Sequence, residues 1–279
     1  MPTVVVRNNA GSRFDPLAER LTAIAEETLP LVEAVTELPL PDTVAIRLMS
    51  PRAWRKAHSR RAQRLVITEG RELGVSFADL RQVAGALKAE RKGLRQIWPL
   101  IGAQSVLFTR GQPEIVVMPR ALWEMGVLND EEFHYKTVAH EMVHLAQYAV
   151  TDGQVWAAND SLFPQFRGIA DRDYGFLLEG HAYWADRQIT AKLLGAPVQR
   201  SGISPHASLR YQALAKSRAH KDSSGYVKRA EASVDSIVAE HGLTAFNRIW
   251  VDRTDLVPLR KETDEPTAWQ ARFSAPRSA

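Results

Sequence analysis

Two histidines four positions apart constrain the fold of this chain more than any other feature. In the stretch VAHEMVHLAQY, residues 138–148, Glu141 directly follows His140, and His144 comes one helical turn later. An α-helix places residues i and i+4 on one face, close enough for both imidazoles to reach a single ion. We therefore expect a helix here, with Glu141 about 100° further round its axis.

The sequence on either side supports this helix. NDEEFHYKTVAHEMVHLAQYAV offers Asn129 or Asp130 as N-cap, has acidic residues in its first turn, and extends to about Val150. Directly before it, QSVLFTRGQPEIVVMPR predicts a β-hairpin whose two β-branched runs are joined by RGQP. The second strand, residues 114–118, is a plausible sheet edge for pairing with an extended peptide, or it serves only to pack the helix.

Composition limits the kind of site that the helix can carry. The chain has 279 residues and no cysteine, so disulfides and thiolate metal sites are excluded and any metal must be held by histidine and carboxylate. No apolar run approaches the about 18 residues of a membrane span, and the N-terminus lacks the order of a signal peptide. We therefore expect a cytoplasmic protein without membrane contact.

The position of Glu141 suggests chemistry as well as binding. A carboxylate beside two histidine ligands can deprotonate metal-bound water, whereas the alternative is an ordinary helix surface with polar residues. A catalytic zinc site usually has three protein ligands. Gln147 and Val150 occupy the positions of the glycine and third histidine of the metzincin pattern, so the third ligand must come from another element.

A second predicted helix, residues 173–195, offers that ligand. Glu179, Tyr183 and Asp186 share one face of it, which would place a glutamate ligand one to two turns before a carboxylate that orients the site. His181 is the rival ligand. It points about 200° away from Glu179 on a helix, so the two cannot serve the same ion.

The remaining segments predict an α+β chain. Strands are expected at TVVVR near the N-terminus, at residues 43–49 and at residues 64–69, with helices at FDPLAERLTAIAEE and SFADLRQVAGALKAERKGLRQIW. Residues 151–173 predict either a lid or a connection with a short helix. Three helices follow, in ASLRYQALAKSRA, YVKRAEASVDSIVAEHG and TAFNRIWVDR, and PTAWQARFSAPRSA is expected to be a frayed tail.

Positive charge is concentrated in one part of the chain. Residues 51–100 contain 12 Lys or Arg against 4 Asp or Glu, whereas the net charge of the whole chain is only +4. A solvated helix face is the favoured interpretation, and a nucleic-acid footprint across residues 52–95 is the alternative. Trp54 and Trp98 are the tryptophans that accompany the charges, which is few for stacking on bases, so a nucleic-acid partner is not expected.

Five motifs resemble a known family. HEMVHLAQY, LLEGHA, SLRYQ, GYVKRAE and GLTAFNRIW are similar to the actinobacterial zincin-like metallopeptidases of type 2, within the gluzincin group, over about residues 104–270. The resemblance implies a zincin-like α+β fold and a Zn²⁺-dependent hydrolase acting on a peptide or protein. It implies His140, His144 and Glu179 as zinc ligands and Glu141 as the catalytic base.

The resulting prediction is a single domain, residues 1–279, with an upper lobe to about residue 150 and a mostly helical lower lobe. The favoured function is a zinc metallopeptidase. The alternatives are a zinc amidase acting on a small molecule and a catalytically inactive zincin-fold binding module. Residues expected to support the ligands or donate to an oxyanion are Asp186, Tyr183, Tyr211 and Tyr226, with His206 and His220 as further donors.

Overall fold

The computed structural model describes residues 2–199 and 202–274. Its strands are β1 (Thr3–Asn9), β2 (Thr43–Met49), β3 (Ala103–Thr109) and β4 (Gln112–Val117). Its helices are α1 (Asp15–Thr36), α2 (Pro51–Glu72), α3 (Phe77–Ile97), α4 (Pro119–Glu124), α5 (Glu131–Val150), α6 (Gln154–Asn159), α7 (Tyr174–Leu194), α8 (Leu209–Ala215), α9 (Arg218–His241), α10 (Leu243–Val251) and α11 (Pro266–Ser274). Among the described residues, every helix is too short or too polar to span a lipid bilayer.

The four strands form one mixed sheet in the order β1-β2-β4-β3. β1, β2 and β4 are parallel, and β3 pairs antiparallel with β4 as predicted for the hairpin. The α+β class is therefore confirmed. The proposed edge at residues 114–118 is wrong, because β4 has a neighbour on both sides. Its run of buried side chains from Ile115 to Val117 is typical of an interior strand, and β3 forms the edge.

The sheet separates two apolar clusters. Ile115 and Val117 point into the main core with side chains of α1, α5 and α7, whereas Val116 points to the other face. There it packs with Val106 of β3 and Trp54 of α2 in a smaller cluster. The two faces follow from the alternation of side chains along a strand. The main core takes residues from both predicted lobes, and the lobe boundary near residue 150 stays a prediction.

α2 corrects one predicted element. Residues 64–69, expected as a strand, lie inside this 22-residue helix, which starts at Pro51 after the N-cap Ser50. The preference of β-branched residues for strands is weak and depends on context, so the contacts that α2 makes with the rest of the protein determine the helical conformation of residues 64–69. Glu69 is buried in the helix, and the Arg64 guanidinium donates to the Phe108 carbonyl of β3. The predicted helix α3 is present, but its apolar face is only partly covered, and Phe77 is 75% exposed.

The second half of the chain is helical, as expected. α7 packs between α5 and α9, and at Gly180 an added Cβ would lie 2.6 Å from the Ala230 carbonyl oxygen of α9. Residues 151–173 contain the short helix α6, as in the second alternative for that segment. The expected tail is wrong for its first part, since α11 begins at Pro266 and Trp269 is fully buried. Residues 275–279 of that tail lie outside the described residues.

Two histidines away from the motif are uncharged at neutral pH. The His58 ring lies edge-on to Trp54 and Phe108, with centroids at 4.5 and 4.9 Å, and is 3.2 Å from Gln104 Oε1. Burial, and then the charge of Arg61, lowers the pKa of His58 to about 4. Burial likewise lowers the pKa of His134 to about 4. The folded chain therefore binds fewer protons than the unfolded chain between pH 6.5 and 4.

We expect the free energy of unfolding to fall as the pH drops from 7 to 5. Each of these histidines charges near its ordinary pKa only when unfolded, so each contributes a loss of about 1 to 2 kcal/mol over that interval. Urea unfolding of wild type and His58→Gln at both pH values measures the decrement. The variant should lose less stability than wild type. Equal decrements, with the metal state kept the same, would contradict the role of His58.

Candidate metal centre

Capping residues in the local sequence set the ends of α5 and α7, the two helices that carry the site. Asp130 caps α5, and its Oδ1 accepts a hydrogen bond of 3.0 Å from the Phe133 amide. Asp173 caps α7 in the same way through the Phe176 amide, and Gly195 ends that helix in the left-handed conformation at φ 81°. Both helices therefore begin and end where their sequences predict, and they pack directly against each other.

Three side chains meet at the contact between these helices. Glu179 Oε2 of α7 is 3.5 Å from His140 Nε2, and Glu179 Oε1 is 3.7 Å from His144 Nε2. One candidate ligand atom from each residue lies within 4.8 Å of the others, so the group can hold a metal ion. The three residues are called the HHE cluster below.

The charges around His140 favour a cation at this point. Burial opposes protonation of its imidazole, but hydrogen bonds to Asp186 and Glu179 outweigh burial and raise the pKa of His140 to about 10. Burial also opposes ionisation of Glu179, yet the hydrogen bond from His140 and the charge of His144 lower its pKa to about 2. Without metal, the cluster thus attracts a proton, which a metal ion would have to displace.

The second nitrogen of each imidazole has an oxygen acceptor. His140 Nδ1 is 3.1 Å from Asp186 Oδ2, and His144 Nδ1 is 2.8 Å from Gln147 Oε1. Because these oxygens accept, each Nδ1 is assigned a proton, and each Nε2 lies on the side of Glu179, where it can bind a metal ion once it carries no proton. Metal-binding histidines are oriented in this way. The donors and their supports therefore fit a bound metal ion.

Lys136 extends this support and was not anticipated from the sequence. Its Nζ donates to both oxygens of Asp186, at 2.7 and 2.8 Å, and the Asp186 side chain is fully buried. Lys136 precedes His140 by four residues, so both reach Asp186 from one face of α5. The four-residue spacing of Lys136 and His140 was the available signal in the sequence. It does not identify Lys136 as a site residue unless the position of Asp186 on α7 is already known.

Glu141 is buried and hydrogen-bonded to the sheet. Ser105 Oγ is 2.7 Å from Glu141 Oε2 and 2.9 Å from the Glu141 carbonyl oxygen, so the single hydroxyl proton is shared between two acceptors. Ser105 lies on β3, the edge strand. The Glu141 carboxylate is thereby oriented by a residue that sequence reasoning missed, because pairing between a strand and a helix leaves no local pattern.

His181, the rival ligand, belongs to the core. Its Nδ1 lies 3.1 Å from Gln147 Nε2, and its ring stacks on Trp184 with centroids 5.8 Å apart. Burial, and then the charge of His144, lowers its pKa to about 3. Gln147 thus connects His144 to His181 without bringing His181 into the HHE cluster. His181 is therefore a buried core residue.

The proposed donor residues lie in different surroundings. The Tyr183 ring contacts the His140 ring, with centroids at 4.4 Å, and burial with the charges of Glu179 and Asp186 raises its pKa, so the phenol stays protonated at neutral pH. The Tyr226 hydroxyl instead donates to Asp173 Oδ1 at 2.7 Å. Tyr211, on α8, packs partly buried against the main core. The remaining candidates are exposed His206 in the loop before α8 and half-buried His220 in the first turn of α9.

Comparison with known proteins supports the fold. No protein-family profile matches the chain, and no curated protein matches it either. A crystal structure from Chloroflexus aurantiacus, described as that of a proposed hydrolase with a novel fold, is similar to this chain with a TM-score of 0.55 and 17% identity. The likeness covers 96% of this chain and 93% of that chain. The resemblance to the actinobacterial zincin-like family stays a prediction.

Proposed function

We propose that the protein is a zinc-dependent metallopeptidase of the gluzincin type. The observation that carries this proposal is the HHE cluster, whose two Nε2 atoms face the Glu179 carboxylate while their Nδ1 atoms are held by Asp186 and Gln147. The buried carboxylate of Glu141 directly follows the first ligand in the sequence. The description of the Chloroflexus aurantiacus neighbour as a proposed hydrolase is consistent with this function.

The donor set favours zinc over other ions. Two imidazoles and one carboxylate are the ligands of many catalytic zinc sites, whereas magnesium and calcium prefer oxygen donors alone. Zn²⁺ held by His140, His144 and Glu179 would supply Lewis acidity, acidifying water and polarising a substrate carbonyl. The negative charge of the Glu179 and Asp186 carboxylates, which attracts a proton to His140 in the metal-free chain, would be neutralised by the same ion.

The side chains around the HHE cluster then have distinct roles. Glu141 accepts a proton from the attacking water and transfers it to the leaving amine. Ser105 holds the carboxylate of Glu141 in place through its hydroxyl. Tyr183, which keeps its phenol proton at neutral pH, is positioned beside His140 to donate to an oxyanion.

The edge strand β3 suggests how a substrate is held. It has β4 on one side and no strand on the other among the described residues, so an extended peptide can add to it backbone to backbone. Ser105 lies on this strand and bonds the proposed base. A peptide paired with β3 would therefore run close to Glu141.

One observation favours the alternative of a small-molecule amidase. The Arg64 guanidinium already donates to the Phe108 carbonyl near the end of β3. That contact occupies one backbone acceptor of the edge strand and shortens the surface available for pairing. A short amide substrate would be less affected than a long peptide, so both substrate classes belong in the assay.

We expect purified protein to contain about one zinc ion per chain, because the three donors converge and no thiolate competes. Metal analysis after dialysis without chelator measures this, and His140→Ala should contain markedly less zinc. Peptide libraries and small amides then test hydrolysis. Equal, negligible zinc in wild type and His140→Ala would overturn the proposed function, whereas zinc without hydrolysis of any substrate would favour the inactive binding module.

A further inference from the structure

A cavity between α2 and α3 lies outside the HHE cluster. Its volume is about 230 Å³, and it is lined by Arg55, Lys56, Ser59, Arg91, Leu94 and Arg95. The lining therefore contains four cationic side chains, one hydroxyl, one apolar side chain and no carboxylate. We propose that this basic pocket binds a phosphate group, either free or as a small phosphate monoester.

Helical spacing places the donors opposite each other. Arg55 and Ser59 are one turn apart on α2, and Arg91 and Arg95 are one turn apart on α3, so each helix presents two donors to the same cavity. Guanidinium groups match the oxygens of phosphate with paired hydrogen bonds and remain charged at any physiological pH. The arrangement thus offers several converging donors to one tetrahedral anion.

These cations differ from the arginines of the chain that form ion pairs. Arg47 pairs with Glu114, Arg61 with Asp160 and Arg187 with Glu231. By contrast, none of the four pocket cations has a carboxylate partner among residues 2–199 and 202–274. Like charges around one cavity repel each other, and a bound anion relieves that repulsion.

The walls of the basic pocket are anchored to the rest of the protein. Leu94, the apolar residue of the lining, packs against the smaller apolar cluster, and Trp54 Nε1 of α2 donates to Gln104 Oε1 of β3. On the other side, the Arg210 guanidinium donates to the Arg95 carbonyl at 3.2 Å and lies over the Trp98 ring. These contacts hold the two helices that form the walls, and a preformed wall reduces the entropy lost on binding.

The size of the cavity and its surroundings favour a small anion over a nucleic acid. Drug-sized ligands occupy about 300 to 1,000 Å³, so this cavity suits one phosphate group with a few further atoms. Trp54 and Trp98, the tryptophans of the basic segment, are 1% and 7% exposed and cannot stack on bases, which leaves exposed Phe77 at the start of α3 as a single aromatic ring for stacking.

Calorimetric titration with inorganic phosphate, at constant ionic strength, tests the proposal. We expect saturable binding to wild type with one site per chain, and a loss of about tenfold or more in Arg55→Gln/Arg91→Gln. The matched control is Arg60→Gln/Lys88→Gln, which removes the same charge from exposed positions on the same helices outside the lining. The control should change affinity less than twofold.

Two further measurements separate other sources of binding. Phosphate affinity should be unchanged in His140→Ala, because the HHE cluster lies elsewhere, and this holds whether or not the proposed function is correct. Circular dichroism confirms that each variant is folded. No saturable binding at millimolar phosphate, or equal losses in the pocket and control variants, would overturn the proposal. A single-stranded oligonucleotide that binds more tightly than phosphate, and loses affinity equally in both double variants, would also overturn it in favour of a diffuse nucleic-acid surface.

Discussion

Replacement of Glu141 by glutamine is expected to lower kcat for hydrolysis by about 100-fold or more while the zinc content stays the same. General-base catalysis by a positioned side chain contributes about 10²- to 10⁴-fold, and an amide cannot accept a proton from water at neutral pH. Zinc should remain, because residue 141 is not part of the HHE cluster. Steady-state kinetics on the best peptide or amide substrate, together with metal analysis of the same sample, measure both quantities.

Two control variants make this test specific. Ser105→Ala keeps the Glu141 carboxylate but removes the hydroxyl that orients it, so a smaller loss of kcat is expected. Glu132→Gln changes a carboxylate in the first turn of α5 and should leave hydrolysis unchanged. Full activity of Glu141→Gln would remove Glu141 from the mechanism. Loss of zinc in that variant would show instead that the substitution damages the site.

Replacement of Glu179 by alanine is expected to have the largest effect on metal affinity. The change removes one of three donor groups and leaves two imidazoles without the carboxylate that faces both of their Nε2 atoms. Loss of a residue that only orients a ligand typically costs about 10- to 100-fold, so the loss of a ligand should exceed that range. Competition with a chelator of known affinity measures the zinc dissociation constant of each variant.

Neighbouring residues on α7 provide the comparison. His181→Phe keeps an aromatic ring among Trp184, Phe246 and Trp250, and it should retain zinc. Asp186→Asn should lie between the two, at about 10- to 100-fold weaker binding, because it disturbs the support of His140 and the partner of Lys136. Strong zinc loss in His181→Phe with little change in Glu179→Ala would reassign the third ligand.

The sequence predicted those parts of the site that depend on local rules. The helices carrying His140 and Glu179 were placed correctly because their N-caps, glycine ends and periodicity lie within a few residues. Lys136 and Ser105 were missed because each acts on a partner in another element, and only packing brings them together. The ion pair between Lys136 and Asp186, for example, joins residues 50 positions apart.

The errors in the fold prediction have the same origin. Residues 64–69 have the composition of a strand, but the N-cap at Ser50 and contacts with β3 extend the helix through them. Residues 114–118 were considered either as a sheet edge or as packing for the helix, and the burial of Ile115 to Val117 is typical of an interior strand. Strand order is set by how distant segments pair, and a single sequence without repeats carries little information about it.

The close approach of α7 and α9 at Gly180 has a consequence for the time course of folding. Glu179 is adjacent to the glycine where α7 and α9 nearly touch, so docking of α9 holds the part of α7 that carries this carboxylate. The three donors lie on two helices, so residues 140 and 179 must come together before the donors converge, and such non-local contacts form late. We therefore expect zinc to leave the rate of folding nearly unchanged when it is present during refolding. Zinc bound to the folded protein should instead lower the rate of unfolding.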